Sequence, residues 1–344
     1  MALALRKNGV NILSVSGLSG HDLLGGDTCS GVQVDWFEGT IDSSIHTFAS
    51  WESPPGTMTL GIDGTGYGYF SWGDGSINEF PNNTGLNVVL HTYSVITTYT
   101  CRVLTNVSLQ MTFGTNSSGS TRWTDVTRWG ENTEYTGINL FFTYFPVSWT
   151  ALDQPPPTAT DLKDFIFSSA LFNAPPMALW TNDFLNLDSF LSSSTAFNQD
   201  LSGWNVSNCD TFTSAFASCL NFNQDISGWN VSSGNTFSDM FGGATSFNQN
   251  LGAWTFNDGA NLQDMFRNCS ALTDANVALM LIGWDVAGQG ENINGTLMFF
   301  LSTGFRSMAI STYPAAKAAF DNLGLATGSG GRGWSLATSG ITWT

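Results

Sequence analysis

The chain has 344 residues, of which 42% are hydrophobic, 13% aromatic and only 11% charged, whereas about 25% of the residues of an average globular domain are charged. Ten Lys and Arg against 27 Asp and Glu give a net charge of −17. This balance argues against nucleic-acid binding, because phosphate contacts need clustered basic side chains, and it disfavours binding to anionic membranes. The 37 Gly residues favour β structure with many turns.

The first residues do not have the order of a signal peptide, because Arg6 and Lys7 follow the short apolar start instead of preceding it. No apolar run reaches the length of a membrane span. We therefore expect a chain that is soluble when made and enters no membrane. Five cysteines without a CxxC pair indicate neither a disulfide framework nor a zinc site, so free thiols are expected.

The N-terminal half reads as β structure in two parts. Residues 1–55 contain short apolar runs and are predicted to form a β-rich module that anchors the protein. Residues 56–152 are predicted to form a β-sandwich, since FSWGDGS (70–76) is typical of a strand that ends in an Asp-Gly turn. The stretch 87–104 carries near-alternating apolar residues, as a pair of sandwich strands would.

The WGDGS motif at residues 72–76 and the HTY motif at 91–93 resemble those of polycystic-kidney-disease-type immunoglobulin-like domains. The chain departs from that pattern where Thr97 and Thr98 replace the usual Gly. The resemblance implies an immunoglobulin-like β-sandwich in which His91 makes a structural hydrogen bond. Asp74 could bind Ca²⁺, but an Asp-Gly turn accounts for it without a metal. Residues 122–135 resemble the strand that often joins such a domain to repeats.

Residues 153–160 are proline-rich and are predicted to be a linker. After them, FNQDLSGWNVS at 197, FNQDISGWNVS at 222 and FNQNLGAWTFN at 247 repeat with a period of 25 residues. A period of this size is typical of stacked coils that share buried side chains, and we predict such a solenoid over residues 161–286. A strand is expected near FNQDLSGW and a short helical turn near TFSDMF. The predicted core positions are Phe197, Trp204, Phe216, Phe222, Trp229, Phe241, Phe247, Trp254 and Phe266.

The repeats FNQDISGWNVS and DMF, with SAFASCLNF at 214–222, resemble those of bacterial-surface-antigen-like leucine-rich proteins. The resemblance extends through residues 287–344, which are similar to the closing cap of that family. There we expect a helix with Thr312 as N-cap, Pro314 in its first turn and Gly324 at its end. The family implies a surface-displayed recognition scaffold and no enzymatic activity.

Three repeated columns have both a structural and a functional interpretation. The asparagines at 198, 223 and 248 are expected to satisfy backbone groups. The acidic column at 200 and 225 could bind Ca²⁺ or a basic partner, although a solvated face is favoured. The tryptophans could stack on sugars if exposed, but their strict period favours core packing. With no catalytic motif in the sequence, we predict no enzyme, no cofactor and no bound metal.

The predicted fold class is therefore mainly β: an N-terminal β-sandwich region, a leucine-rich-repeat-like parallel solenoid and a C-terminal helical and hairpin cap. The predicted function is that of a phage virion component on the particle surface, a capsid decoration, fibre or tail protein. Its N-terminal half would contact other virion proteins and its solenoid a host protein or glycan, with homo-oligomers in the assembly. The alternative is an adhesin on a bacterial cell surface.

Overall fold

The structure of the chain is a computed structural model. In the first 159 residues it describes the backbone of strands, the residues Trp72 and 74–76, and the side chain of Asn78. It then describes residues 160–285 apart from 167–168, 171 and 174, followed by Ile293, 306–324, Trp334 and 341–344. The chain divides into two compact units, residues 1–159 and 160–344. Their boundary falls within the predicted proline-rich linker.

The strands that the structure describes in the first unit form three sheets. A two-stranded sheet pairs β1 with β2, a six-stranded sheet has the order β12-β10-β3-β8-β5-β6, and a four-stranded sheet has the order β11-β9-β4-β7. The strands are β1 (Ala2–Lys7), β2 (Val10–Ser16), β3 (Phe37–Asp42), β4 (Thr57–Gly64), β5 (Gly68–Ser71), β6 (Ile77–Phe80), β7 (Asn87–Thr92), β8 (Thr98–Thr105), β9 (Leu109–Thr112), β10 (Trp123–Arg128), β11 (Ile138–Asn139) and β12 (Ser148–Trp149).

Strand pairing in this unit differs from the sequence-based expectation in two respects. Strands β7 and β8 both form, but they lie in different sheets, because β7 pairs with β4 whereas β8 pairs with β3 and β5. The pairing of β3 with β8 also crosses the boundary predicted after residue 55. Local alternation of apolar residues identifies a strand but carries no information about its partner, which explains both differences.

The WGDGS segment forms the turn between β5 and β6, which pair antiparallel. Gly75 adopts φ +95°, a conformation that glycine reaches without steric cost. The Asp74 carboxylate accepts a hydrogen bond from the Ser76 backbone N–H at 2.9 Å. The buried Trp72 donates its indole N–H to the Asn78 side chain. Asp74 is therefore engaged in the turn itself. The side chain of His91 lies outside the described residues.

The second unit is built on five successive 25-residue segments, which we call coils 1 to 5: residues 161–185, 186–210, 211–235, 236–260 and 261–285. The residues that open the coils pair in parallel with one another: Asp161 with Asn186, Asn186 with Thr211, Thr211 with Thr236, and Thr236 with Asn261. The coils thus stack in register, one 25-residue step per layer.

A backbone ladder that runs in a single direction connects the first eight residues of neighbouring coils. Further along the coil, single N–H groups donate the other way, as Asn221 does to the Thr195 carbonyl at 3.1 Å. Residues 2, 4, 6 and 8 of a coil donate their N–H groups to the carbonyls of residues 1, 3, 5 and 7 of the next coil. From coil 2 to coil 3 these donors are Leu187, Ser189, Leu191 and Ser193, at N···O distances of 2.7–3.0 Å. The intervening N–H groups close turns within a coil, as Phe190 does onto the Leu187 carbonyl. Residues 2 to 8 of coils 2 to 4 thus all have an acceptor for the backbone N–H, as burial requires.

This ladder places non-glycine residues in the left-handed conformation at fixed positions of the coil. The fourth residue has φ between +52° and +58° in all five coils. The eighth residue is left-handed in coils 2 to 5, where coil 4 carries Gly243 at φ +76°. Ser, Asp and Asn otherwise fill these sites, and such short polar side chains tolerate the conformation better than branched ones. The left-handed sites are Asp164, Ser189, Ser193, Ser214, Ser218, Asp239, Asp264 and Asn268.

All nine predicted core positions are buried, and none is more than 4% exposed. Phe197, Phe222 and Phe247 form one column, with successive ring centroids 6.1 Å apart. Phe216 and Phe241 form a second column with ring centroids 5.7 Å apart. This column packs against the first, because the Phe216 ring stacks on that of Phe222 and the Phe241 ring on that of Phe247. The indole N–H groups of the tryptophans donate to backbone carbonyls of the preceding coil: Trp204 to Met177, Trp229 to Leu201, and Trp254 to Ile226. Each buried indole is thereby satisfied.

The prediction of a strand at FNQDLSGW is wrong. Residues 197–204 contain no strand, and the parallel bridges lie instead at the residues that open each coil. The reason is that side chains replace the backbone ladder there: the Asn223 N–H donates to the Asn198 Oδ1 of the preceding coil at 2.9 Å. The TFSDMF segment follows a coil-opening bridge as a series of turns.

Helix α1 (Asp274–Trp284) forms the second part of coil 5. Thr273 caps it, since the Thr273 hydroxyl accepts from the Asn276 N–H. The helix packs closely on coil 4, where a Cβ on Gly283 would lie 2.3 Å from the Gly252 carbonyl oxygen. Only glycine therefore fits at position 283 without displacement of the backbone.

The cap contains β13 (Arg306–Met308), helix α2 (Pro314–Gly324) and β14 (Ile341–Trp343). The two strands pair in parallel, so they do not form the predicted hairpin. The helix begins at Pro314, so Tyr313 and not Thr312 precedes it, and it ends at Gly324 as expected. The buried Trp334 covers the end of the core, 5.8 Å from the Trp284 ring and 5.9 Å from the Phe256 ring.

Candidate recognition surface of the repeats

Nine polar residues form a ridge along one side of coils 2 to 4. We call it the amide ridge: residues 198–200, 223–225 and 248–250, with the sequences NQD, NQD and NQN. The third residue of each triplet is exposed and the others are exposed or half-buried. The apolar residues before and after each triplet, such as Phe222 and Ile226, are buried. The core thus anchors both ends of every triplet.

The asparagines of the ridge are locked by contacts between coils. Each Asn Oδ1 accepts the backbone N–H of the residue one coil further on: Asn198 accepts from Asn223 at 2.9 Å and Asn223 from Asn248 at 2.8 Å. The glutamines add to this, since Gln224 Nε2 donates to both the backbone oxygen and Oδ1 of Asn198 at 3.0 Å. The expectation that asparagines satisfy backbone groups describes these contacts.

The column ends where helix α1 begins. Asn248 Oδ1 accepts the backbone N–H of Thr273 at 2.9 Å and its hydroxyl at 3.2 Å. Asn276 takes the place of the glutamine and donates Nδ2 to the same Oδ1 at 2.9 Å. The helix N-terminus therefore completes the column of amides.

The acidic column at the edge of the ridge is held in turns. Asp200 Oδ1 accepts from the Ser202 N–H at 2.8 Å, and Asp225 Oδ1 accepts from the Ser227 N–H at 2.9 Å. Hydrogen bonds from Ser227 hold the pKa of Asp225 below its usual value. No group of three or more His, Cys, Asp or Glu that could hold a metal occurs among the described residues.

Charge on the coils is almost wholly negative. The basic residues of 161–285 are Lys163 and Arg267, and each pairs with an aspartate of an adjacent coil: Lys163 with Asp188 at 3.0 Å and Arg267 with Asp239 at 2.7 Å. Their hydrogen bonds to these carboxylates raise the pKa of both basic groups. The coil surface therefore favours neutral or cationic partners.

The repeated aromatic and thiol groups cannot contact a ligand in the folded protein. Trp204, Trp229 and Trp254 are at most 4% exposed, which excludes sugar stacking and agrees with core packing. Cys209, Cys219 and Cys269 are free and buried. Burial raises the pKa of the Cys209 thiol to about 12 and that of the other two further still. Cys29 and the Cys101 side chain lie outside the described residues.

Among the described residues, no helix has the length and apolar character that crossing a bilayer requires. Residues 160–278 match the family described as Mycoplasma protein of unknown function, DUF285. This match covers coils 1 to 4 and most of coil 5, and it confirms for those residues the resemblance to bacterial-surface-antigen-like repeats. No curated protein and no solved structure matches the chain.

Proposed function

We propose that the protein is a non-enzymatic recognition protein and that its coils bind a partner at the surface of a host. The observation that carries the proposal is the amide ridge, in which the same polar triplet recurs in three successive coils above a fully buried aromatic core. Repeated identical groups favour several weak contacts made together. Residues 160–278 match a family of unknown function, and that match names no partner.

We propose further that the protein is carried on the surface of a phage particle as a decoration, fibre or tail protein. In this arrangement residues 1–159 bind capsid or tail proteins and the coils face the host. Support comes from the division into two compact units and from their different content: extended sheets in the first, and coils with a regular polar surface in the second. An adhesin on a bacterial cell surface is the alternative, and the same repeats suit it.

The location is tested on particles purified from a lysate of a strain that carries the gene. Mass spectrometry of the purified particles should detect peptides from both units, and antibodies against the coils should label intact particles. Peptides found only in the cell-surface fraction would refute the virion location and favour the adhesin. Neighbouring genes that encode capsid and tail proteins would point the same way as the particle result.

Recognition by the coils is tested by competition. Purified full-length protein should bind host cells and reduce attachment of the particles in a dose-dependent manner. The matched control is the protein with Phe222→Ala, which leaves the surface composition unchanged but disrupts the core beneath the ridge. Undiminished attachment at saturating protein would refute a recognition role, wherever the protein is located.

A further inference from the structure

We infer that the amide ridge binds neutral, linear polysaccharide chains. The inference rests on the proposed recognition function and assigns to it a site and a ligand class. It starts from the hydrogen-bonding groups that the ridge leaves unused. Asn198, Asn223 and Asn248 each spend Oδ1 on a neighbouring coil, while their Nδ2 groups have no acceptor among the described residues. The glutamines spend Nε2 in the same way.

Coils 2 to 4 therefore present the same set of free groups along the ridge. Nδ2 of the asparagine is a donor and Oε1 of the glutamine is an acceptor. The third residue of the triplet adds its remaining oxygen or amide, since its Oδ1 is taken by a turn, as Asp225 Oδ1 is by Ser227. A hydroxyl group both donates and accepts, so vicinal hydroxyls of a sugar match this set.

The geometry of these groups is fixed before any ligand arrives. Contacts between coils hold the inner half of each amide, so little side-chain entropy remains to be lost when the outer half binds. A second column of asparagines on the coils has no free Nδ2 groups, because these groups donate to side chains of the preceding coil. Nδ2 of Asn235 donates to Asp210, and Nδ2 of Asn257 donates to Asn235 at 2.8 Å.

The spacing and charge of the ridge select the ligand class. The phenylalanine rings that precede the triplets lie 6.1 Å apart from coil to coil, so a linear glycan that lies along the ridge meets the same groups at each of three regular steps. Asp200 and Asp225, the third residues of two triplets, have hydrogen bonds in turns and no cationic partner among the described residues, and their negative charge disfavours acidic polysaccharides. Weak contacts at three coils act together when one chain spans them.

The test measures binding of the full-length protein to cellohexaose and to chitohexaose by isothermal titration calorimetry. The central variant is Asn223→Asp, which keeps the oxygen that accepts from Asn248 but removes the free donor. The control is Asn208→Asp, which makes the same change of charge at an exposed position of coil 2 away from the ridge. A second variant, Gln224→Lys, keeps a donor towards Asn198 and removes the free acceptor.

The wild-type protein and Asn208→Asp should bind at least one of the two hexasaccharides with equal affinity. Asn223→Asp and Gln224→Lys should each weaken binding about fivefold, the effect expected of one lost hydrogen bond. Circular dichroism should show all variants folded. Equal weakening by Asn208→Asp, or no effect of either ridge variant, would overturn the placement of the site. Protein that blocks attachment of particles to host cells but binds neither hexasaccharide would overturn the ligand class and leave the recognition function standing.

Discussion

Replacement of Phe222 by alanine is the sharpest test of how the coils are held together. The Phe222 ring is fully buried, its centroid is 4.3 Å from that of Phe216, and it lies 6.1 Å from both Phe197 and Phe247. Burial of such a side chain contributes about 1.5–3 kcal/mol. The cavity that remains between coils adds to the loss, so we expect Phe222→Ala to lower the free energy of unfolding of the coils by about 3–5 kcal/mol.

The matched control lies two residues away, where Leu220 is 41% exposed. Leu220→Ala removes a side chain of similar chemistry from the same coil and should lower the free energy of unfolding by about 1 kcal/mol or less. Hydrogen exchange monitored by mass spectrometry reads the coils separately from residues 1–159, because protection is assigned to individual peptides. Equal loss of protection in the two variants, or a loss below about 1 kcal/mol for Phe222→Ala, would refute the shared aromatic core.

Three further changes test other features of the second unit. Gly283→Ala should lower the free energy of unfolding by about 2 kcal/mol or more because its new Cβ clashes with Gly252. The control Gly228→Ala, which has nothing within 4 Å of the new Cβ, should lie within about 0.5 kcal/mol of wild type. Equal melting temperatures of these two variants would contradict the close packing at Gly283. Ser218→Gly should be tolerated, because the next coil has Gly243 at the same position. Ser218→Val should lower the free energy of unfolding by about 1–2 kcal/mol, since Ser218 has a left-handed φ of +58° that a branched side chain does not favour. A valine variant as stable as wild type in urea unfolding would refute the left-handed conformation. Burial raises the pKa of the Cys219 thiol above its ordinary value near 9. As pH rises, the unfolded chain therefore loses this proton before the folded chain does, and the stability of the coils should fall above pH 9. Cys219→Ser, which introduces the residue found in the preceding coil, should reduce that loss in thermal melts at pH 9–11 and have little effect at pH 7; identical pH profiles of variant and wild type would contradict this.

The sequence predicts the period and the buried columns well because both follow from strict spacing of large apolar residues. It does not predict where the backbone pairs. The segment 236–241 is expected from its sequence to form a short helical turn, but it forms a series of turns that includes a left-handed residue, Asp239. A serine such as Ser214 or Ser218 does not by itself indicate a left-handed backbone conformation. The amide contacts of the ridge join residues 25 or 26 positions apart, so no local pattern contains them. They could have been found by asking what each repeated Asn accepts once the coils are stacked.

The same limit applies to the first unit and to the cap. Strands β7 and β8 are recognisable from alternation, but their assignment to two sheets depends on β3 and β4, which lie far away in the sequence. In the cap, β13 and β14 are separated by helix α2, and such a connection allows the parallel pairing that a short hairpin turn does not.

The one-directional ladder has a consequence for how the length of this molecule can change. A second copy of residues 211–235 placed after Asn235 would offer coil 4 the same donors as the original, and it would accept from coil 3 as coil 4 now does. A whole inserted repeat therefore preserves the backbone ladder between coils, whereas an insertion of one residue would shift the rest of its coil out of register with the neighbouring coil. Recombination between these near-identical repeats can thus lengthen or shorten the molecule by about 4.8 Å a step without redesign of either end.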